Sequence, residues 1–378
     1  LERSVTRHLA EWCGGLRSAE HEIEDALPHV SAYGRFVSPD TQLMRERSMS
    51  VFVELPRNAY PADALDHFTA TRDFKLDNAR AMMWLSQLAY ETAHQDKVDD
   101  ILRALRLTKL TLITNNALTG LPPHSACVVV AEGHGATFVA FAGSDPAKPE
   151  DWVTDFEAMP SPDDLHSGFA KAVETVWPAI QTALANRTAP TQPVFFTGHS
   201  LGGALAILAA FLAASREPLK RNVEQIVVYT FGSPRNGGAK FFSDYPPRLG
   251  DATFRFIHGT DIVPTVPFTT LLHVYRHVGQ AVQCGSGGHF EGVTPMAPGG
   301  DEPDIRQSVA KAGLADIEAL GTLHLLRGIG PGLRNELAGV LPRMVRDHVP
   351  QSYFRALSID VPVFGLFDEP GTRSADEI

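Results

Sequence analysis

Cysteine is scarce, with three residues, Cys13, Cys127 and Cys284, in a chain of 378. So few thiols cannot staple a chain of this length, which excludes a disulfide framework as its organising principle. Cys127 lies in the apolar run 126–131, where a buried thiol is the default expectation. A single Cys13–Cys284 bridge is left open without support. Long apolar runs are also lacking: the longest nearly pure one, residues 204–214, is about half of the roughly 20 residues a membrane-spanning helix needs. No transmembrane segment is expected. Basic charge is in deficit, 33 Lys and Arg against 44 Asp and Glu for a net −11, and no long basic block occurs. Nucleic acid is therefore not an expected partner. No apolar core of a secretion signal is seen near Leu1-Glu2-Arg3, so secreted and cytoplasmic locations both stay open.

What is present is the balance of a folded globular protein: 44% hydrophobic and 20% charged residues, with 31 Gly and 27 Pro dispersed along the chain. Leu9, Trp12, Leu16, Ile23 and Leu27 are spaced like one face of a short helix, but residues 1–74 carry no recognisable chemistry. From Asp77 the pattern sharpens, since Ala81, Leu85, Leu88 and Ala89 predict a helix to Tyr90 or beyond. Ile101, Leu105 and Leu112 suggest a second helix ending before Pro122-Pro123. Two apolar stretches, 126–131 and 137–141, flank Glu132-Gly133-His134-Gly135 and predict a β-hairpin. Residues 194–197, 226–230 and 253–257 read as strands, and 202–214 as a buried helix. Strands alternating with helices imply a largely parallel sheet covered on both faces, an α/β architecture. The Gly- and Pro-rich stretch 284–303 reads as a long loop, and 368–378 as a solvated tail.

The strongest chemical signal is Gly198-His199-Ser200-Leu201-Gly202, a G-x-S-x-G pattern between a strand and a helix. A serine on such a sharp turn needs small neighbours, and the turn lifts its hydroxyl clear of the sheet. The following helix points its positive end at the site. A serine hydroxyl is a poor nucleophile until a base removes its proton, so a carboxylate and a histidine must follow in the order Ser, acid, His. Asp261, just past the strand 253–257, is the favoured acid over Asp244 and Asp251. His199 and His258 are excluded as base by this order. Of the five downstream histidines, His324 reads as structural; His289 in the Gly-rich loop and His348 before Pro350 both stay in play.

Taken together, these motifs resemble the class 3 lipase family, alpha/beta-hydrolases related to fungal triacylglycerol lipases. Gly198-His199-Ser200-Leu201-Gly202-Gly203-Ala204 is similar to the family's nucleophile elbow, and Tyr229-Thr230-Phe231-Gly232-Ser233-Pro234-Arg235 to its following strand and turn. Asp261-Ile262-Val263-Pro264 resembles the acid segment. Tyr275-Arg276-His277-Val278-Gly279 resembles a structural strand, which argues against His277 as base. Asp347-His348 with Tyr353 resembles the base segment and raises His348 above His289. Phe141-Ala142-Gly143-Ser144 resembles the strand end that supplies the first oxyanion donor, with Ala142 where the family usually has Arg.

The resemblance implies an alpha/beta-hydrolase domain over 75–367; residues 1–74 fall outside it and are expected to form a helical extension that braces the core by burying apolar surface, and 368–378 a tail. It implies a Ser200–Asp261–His348 triad and an oxyanion hole from Ser144 and Leu201; the acidic, Pro-bearing segment 146–164, with Trp152, Val153, Phe156 and Met159 as its apolar side chains, is expected to form a lid. The expected substrate is an acylglycerol or small ester met at a lipid–water interface. Phospholipase A1, short-chain carboxylesterase and, more distantly, a non-catalytic lipid-binding protein are the alternatives. No metal or organic cofactor is expected, since no zinc-spaced His/Cys cluster occurs.

Overall fold

The computed structural model describes residues 55–114, 126–143, 164–220, 222–267, 275–293 and 343–361, all within one compact unit, Met49–Ile378. Seven strands form one sheet in sequential order: β1 (Thr108–Ile113), β2 (Val128–Gly133), β3 (Ala136–Phe141), β4 (Val194–His199), β5 (Ile226–Phe231), β6 (Thr253–His258) and β7 (Gln280–Cys284). The first two pairings are antiparallel, and β3 to β7 run parallel. The β2–β3 hairpin closes through His134 and Gly135, both at positive φ, the left-handed pair that a two-residue turn demands.

A parallel sheet that winds steadily in one direction through right-handed crossovers receives its crossover helices on one face. Here α3 (Ser167–Ala185) and α4 (Leu201–Ser215) cover that face. They pack on Val128, Val130, Val139, Phe141, Phe196 and Val228. The opposite face must be covered by chain from elsewhere. It is closed by α1 (Leu76–Leu88), by α2 (Gln95–Ala104) and by α8 (Pro350–Ala356), against Phe138, Phe195, Tyr229 and Phe256. Trp84 of α1 meets Phe354 of α8 at 4.5 Å between ring centroids, so the two ends of the described chain share one layer. Between β5 and β6 lie the short helices α5 (Ala239–Asp244) and α6 (Pro247–Gly250), and α7 (Arg343–Arg346) precedes α8.

Residues 55–74 belong to this second layer. They contain only a short 3-10 turn, Arg57–Ala59. Phe68 lies edge-on to Phe138 and Phe195, and Phe74 to Phe254. The buried Glu91 carboxylate accepts from Leu55 N–H and Tyr60 O–H and pairs with Lys97. Leu55, Tyr60 and Leu65 are buried in the same core, and burying a leucine side chain contributes about 1.5–3 kcal/mol, so this stretch is structural core. The rest of 1–74, the tail 368–378 and the helical face of Leu9 to Leu27 lie outside the described residues.

Three sequence expectations are corrected. The second helix stops at Ala104 and Leu112 belongs to edge strand β1, because Arg106 adopts φ +57 and the β-branched Thr108, Thr111 and Ile113 then follow. The strand expected at 275–279 forms later, at Gln280–Cys284, after Gly279 turns the chain at φ +77. Cys284 is a free thiol rather than half of a Cys13 bridge, and Cys127 is only partly buried. The 19-residue α3 has no counterpart in the sequence reading.

Candidate active site

Ser200 sits between β4 and α4 with φ 58 and ψ −133. A non-glycine residue at positive φ is strained and persists only where its surroundings hold it. Its N–H donates to Phe231 O at 2.8 Å, and the turn continues with Gly203 N–H to Ser200 O at 2.9 Å. The flanking glycines are required by contact. A Cβ on Gly198 would overlap the Gly202 carbonyl group, one on Gly202 would strike the Phe141 carbonyl, and one on Gly203 would lie 2.8 Å from Ser233 Cβ. Because α4 is buried almost all round, the nucleophile candidate stands on a core helix. The Leu201 N–H opens that helix, among the donors that have no intrahelical acceptor.

His348 lies in the turn between α7 and α8, fully buried. Its Nδ1 is 2.9 Å from Asp261 Oδ2 and its Nε2 is 2.9 Å from Ser200 Oγ. A carboxylate can only accept, so Nδ1 carries the proton and Nε2 turns its lone pair to the serine hydroxyl. Asp261 follows β6 and is itself buried. Its Oδ1 accepts Val263 N–H at 2.9 Å, and its Oδ2 also accepts the Tyr353 hydroxyl at 2.6 Å. Burial first, and the Asp261 charge second, hold the Tyr353 phenol well above its ordinary pKa, so it stays a donor.

Other sequence candidates fall elsewhere. His289 is exposed, with Nδ1 3.2 Å from Ser358 Oγ. His277 donates from Nε2 to Pro264 O at 2.7 Å. Burial and then the Arg255 and Arg235 charges depress its pKa well below the usual value. Asp244 pairs with Lys240 at the end of α5. Ser144, Trp152, Val153, Phe156, Met159, His273 and His324 lie outside the described residues. The chain does reach Gly143, where a Cβ would lie 3.0 Å from Ser200 Cβ, so the end of β3 runs against the elbow.

Several residues with site contacts were not singled out in the sequence. Gly232, at φ +58, leaves the room that Asp261 and His348 occupy: a Cβ there would lie 2.7 Å from Asp261 Oδ2 and 2.9 Å from His348 Nδ1. Asp347 ties the turn bearing His348 to the turn bearing Asp261. Its Oδ2 accepts Thr260 N–H at 2.7 Å, Thr260 Oγ1 at 2.8 Å and the Ser286 hydroxyl. Both residues stand inside motifs quoted above, Gly232 within 229–235 and Asp347 beside His348, but neither was given a role there. Among the described residues no group of three or more His, Cys, Asp or Glu is arranged to hold a metal ion, and no helix is long and apolar enough to cross a membrane.

Comparison with known proteins bears on the same region. The family model Lipase (class 3) matches residues 138–271. The chain is 37% identical over 134 residues to the secreted mono- and diacylglycerol lipase 1 of Fusarium solani, covering 33% of this chain and 38% of that protein. It is 28% identical over 185 residues to the triacylglycerol lipase OBL1 of Arabidopsis thaliana, covering 37% and 36%. The chain thus spans less than two-fifths of the length of these curated relatives. Among solved structures, lipase II from Rhizopus niveus aligns with a TM-score of 0.44 at 22% identity, over 55% of this chain and 80% of that one. The segment matched by the class 3 lipase family model contains both the elbow and Asp261, so the similarity falls on the residues that build this site.

Proposed function

We propose that the protein is a serine hydrolase that cleaves carboxylic esters of lipids, with Ser200 as nucleophile, His348 as general base and Asp261 as the acid that orients it. The observation carrying this reading is the buried hydrogen-bonded chain from Ser200 Oγ through the His348 ring to Asp261 Oδ2. As Oγ attacks the ester carbonyl, His348 Nε2 takes its proton, and the ionised Asp261 steadies the imidazolium. The tetrahedral oxyanion is received by the Leu201 N–H at the head of α4 and by the Ser144 N–H that follows Gly143. His348 then returns the proton to the departing alcohol, and water releases the acid from the acyl-enzyme by the same steps in reverse roles.

Acylglycerols are the substrate class we favour, because the two curated relatives described above are named as a mono- and diacylglycerol lipase and a triacylglycerol lipase. The test is a panel of tributyrin, phosphatidylcholine and p-nitrophenyl esters on wild type, Ser200→Ala, His348→Ala and His289→Ala. Turnover should fall by about three orders of magnitude or more for the first two variants, with folding retained, and stay near wild type for the third. Wild-type hydrolysis that favours phosphatidylcholine would reassign the enzyme to a phospholipase A1. Absence of fluorophosphonate labelling at Ser200 would refute the hydrolase reading.

A further inference from the structure

His199 is the residue before the nucleophile candidate, and the order of the motifs removes it from consideration as a base. Its contacts nevertheless run to the base. His199 is fully buried. Its Nε2 lies 2.7 Å from the main-chain carbonyl of His348, and its Nδ1 lies 2.9 Å from the Tyr90 hydroxyl. The carbonyl can only accept, so Nε2 carries the proton, and the Nδ1 lone pair is then free to accept from Tyr90. The His199 ring also lies beside the His348 ring, with centroids 4.8 Å apart and planes inclined by 30°. Tyr353, the phenol bonded to Asp261, closes the other side at 5.6 Å between centroids.

We propose that His199, with its tautomer set by the His348 carbonyl and its ring steadied by Tyr90, is the positioning residue for the general base. It holds the His348 backbone at the elbow through one neutral hydrogen bond. This proposal rests on the hydrolase reading above and deepens it. The base arrives on a segment 148 residues after the nucleophile, between the short helices α7 and α8. Such a segment has little regular structure of its own to aim the ring. Asp261 and Ser200 hold the two ring nitrogens, and the His199 donor holds the main chain, so the imidazole is constrained at both ends. The same pair touches the third part of the site. A Cβ on Gly143 would lie 2.6 Å from His199 O and would overlap the Tyr90 hydroxyl, so the strand end leading to Ser144 is packed against both. Neutrality is part of the role, because an imidazolium at 199 would oppose the imidazolium forming on His348. Burial and the neighbouring His348 depress the His199 pKa well below its usual value.

Two amides separate the two contacts of the ring. A glutamine amide reaches the position of Nε2 and can donate to His348 O, whereas an asparagine amide reaches only the position of Nδ1 and can serve only Tyr90. The experiment compares kcat and KM on a p-nitrophenyl ester, with thermal melts, for wild type, His199→Gln, His199→Asn and His199→Leu. A displacement of the base by about 1 Å corresponds to a loss near 100-fold. His199→Leu and His199→Asn should therefore lower kcat by about 10- to 100-fold with KM within about two-fold, and His199→Gln should recover to within about five-fold of wild type. Equal kcat for folded His199→Asn and His199→Gln overturns the proposal, as does wild-type kcat in folded His199→Leu. If His199→Leu does not fold, the Asn–Gln comparison decides alone. A wild type that neither hydrolyses esters nor reacts with a fluorophosphonate would instead refute the hydrolase reading, whatever the variants do.

Discussion

Gly232→Ala tests the site geometry at a buried position beside the proposed acid and base. The added methyl carbon would lie 2.7 Å from Asp261 Oδ2, 2.9 Å from His348 Nδ1 and 3.0 Å from His348 Cε1. These distances fall roughly 0.4–0.7 Å short of ordinary contact. The methyl group would press on both atoms of the 2.9 Å hydrogen bond that sets the His348 tautomer. Alanine at φ +58 adds a backbone cost of about 1–2 kcal/mol. Neither neighbour yields freely, because Asp261 is held by Val263 and Tyr353 and His348 by Ser200. A displaced base costs about 100-fold in kcat, and a broken acid–base contact approaches about 10,000-fold. The fall should lie between these limits, with KM little changed. Steady-state hydrolysis of a soluble p-nitrophenyl ester measures it, fluorophosphonate labelling reports the serine directly, and circular dichroism with a thermal melt establishes folding. A folded Gly232→Ala enzyme with kcat within about three-fold of wild type would refute the argument that the acid–base contact depends on the missing side chain.

Asp347→Ala removes the acceptor of the Thr260 N–H and of two hydroxyls, and should cost about 2–3 kcal/mol of stability together with a drop in kcat. Asp347→Asn, which keeps an acceptor oxygen, should lose less; an unchanged melting midpoint in the alanine variant would contradict this clamp. The Cys284 thiol is pushed up to about 11, chiefly by burial. The thiolate is the reactive form, so iodoacetamide modification of the Cys284 peptide, followed by mass spectrometry, should be slow at pH 8 and quicken as pH rises toward about 11. Rapid modification at pH 8 would contradict it.

The elbow was legible because a strand, a G-x-S-x-G turn and an Ala-rich helix stand consecutively, so local sequence and local structure coincide. Asp261 was legible for a related reason, being close after an apolar strand at the end of the sheet where α/β loops gather. His348 was not selected by spacing, since five histidines satisfied the order, and only the resemblance ranked it. Edge strand β1 was misread because Leu112 continues the apolar spacing of Ile101 and Leu105, and a six-residue half-exposed strand carries too few positions to show its own period. Helix α3 went unread where Gly168 and Pro178 interrupt the usual helical composition. The roles of His199 and Tyr90 could not be read at all, since that contact joins residues 109 positions apart and exists only once α1 covers the sheet.

The late arrival of the base has a consequence for biosynthesis. A ribosome that has released residues up to α4 has already made the elbow, yet under the proposed triad the nascent chain at that stage lacks its base and would be inert toward esters. Competence is conferred when the segment around α7 and α8 emerges and docks beside α1, which was synthesised long before. If the proposed triad is correct, catalytic competence waits on this late segment, and a product cut short before residue 348 would be a silent one.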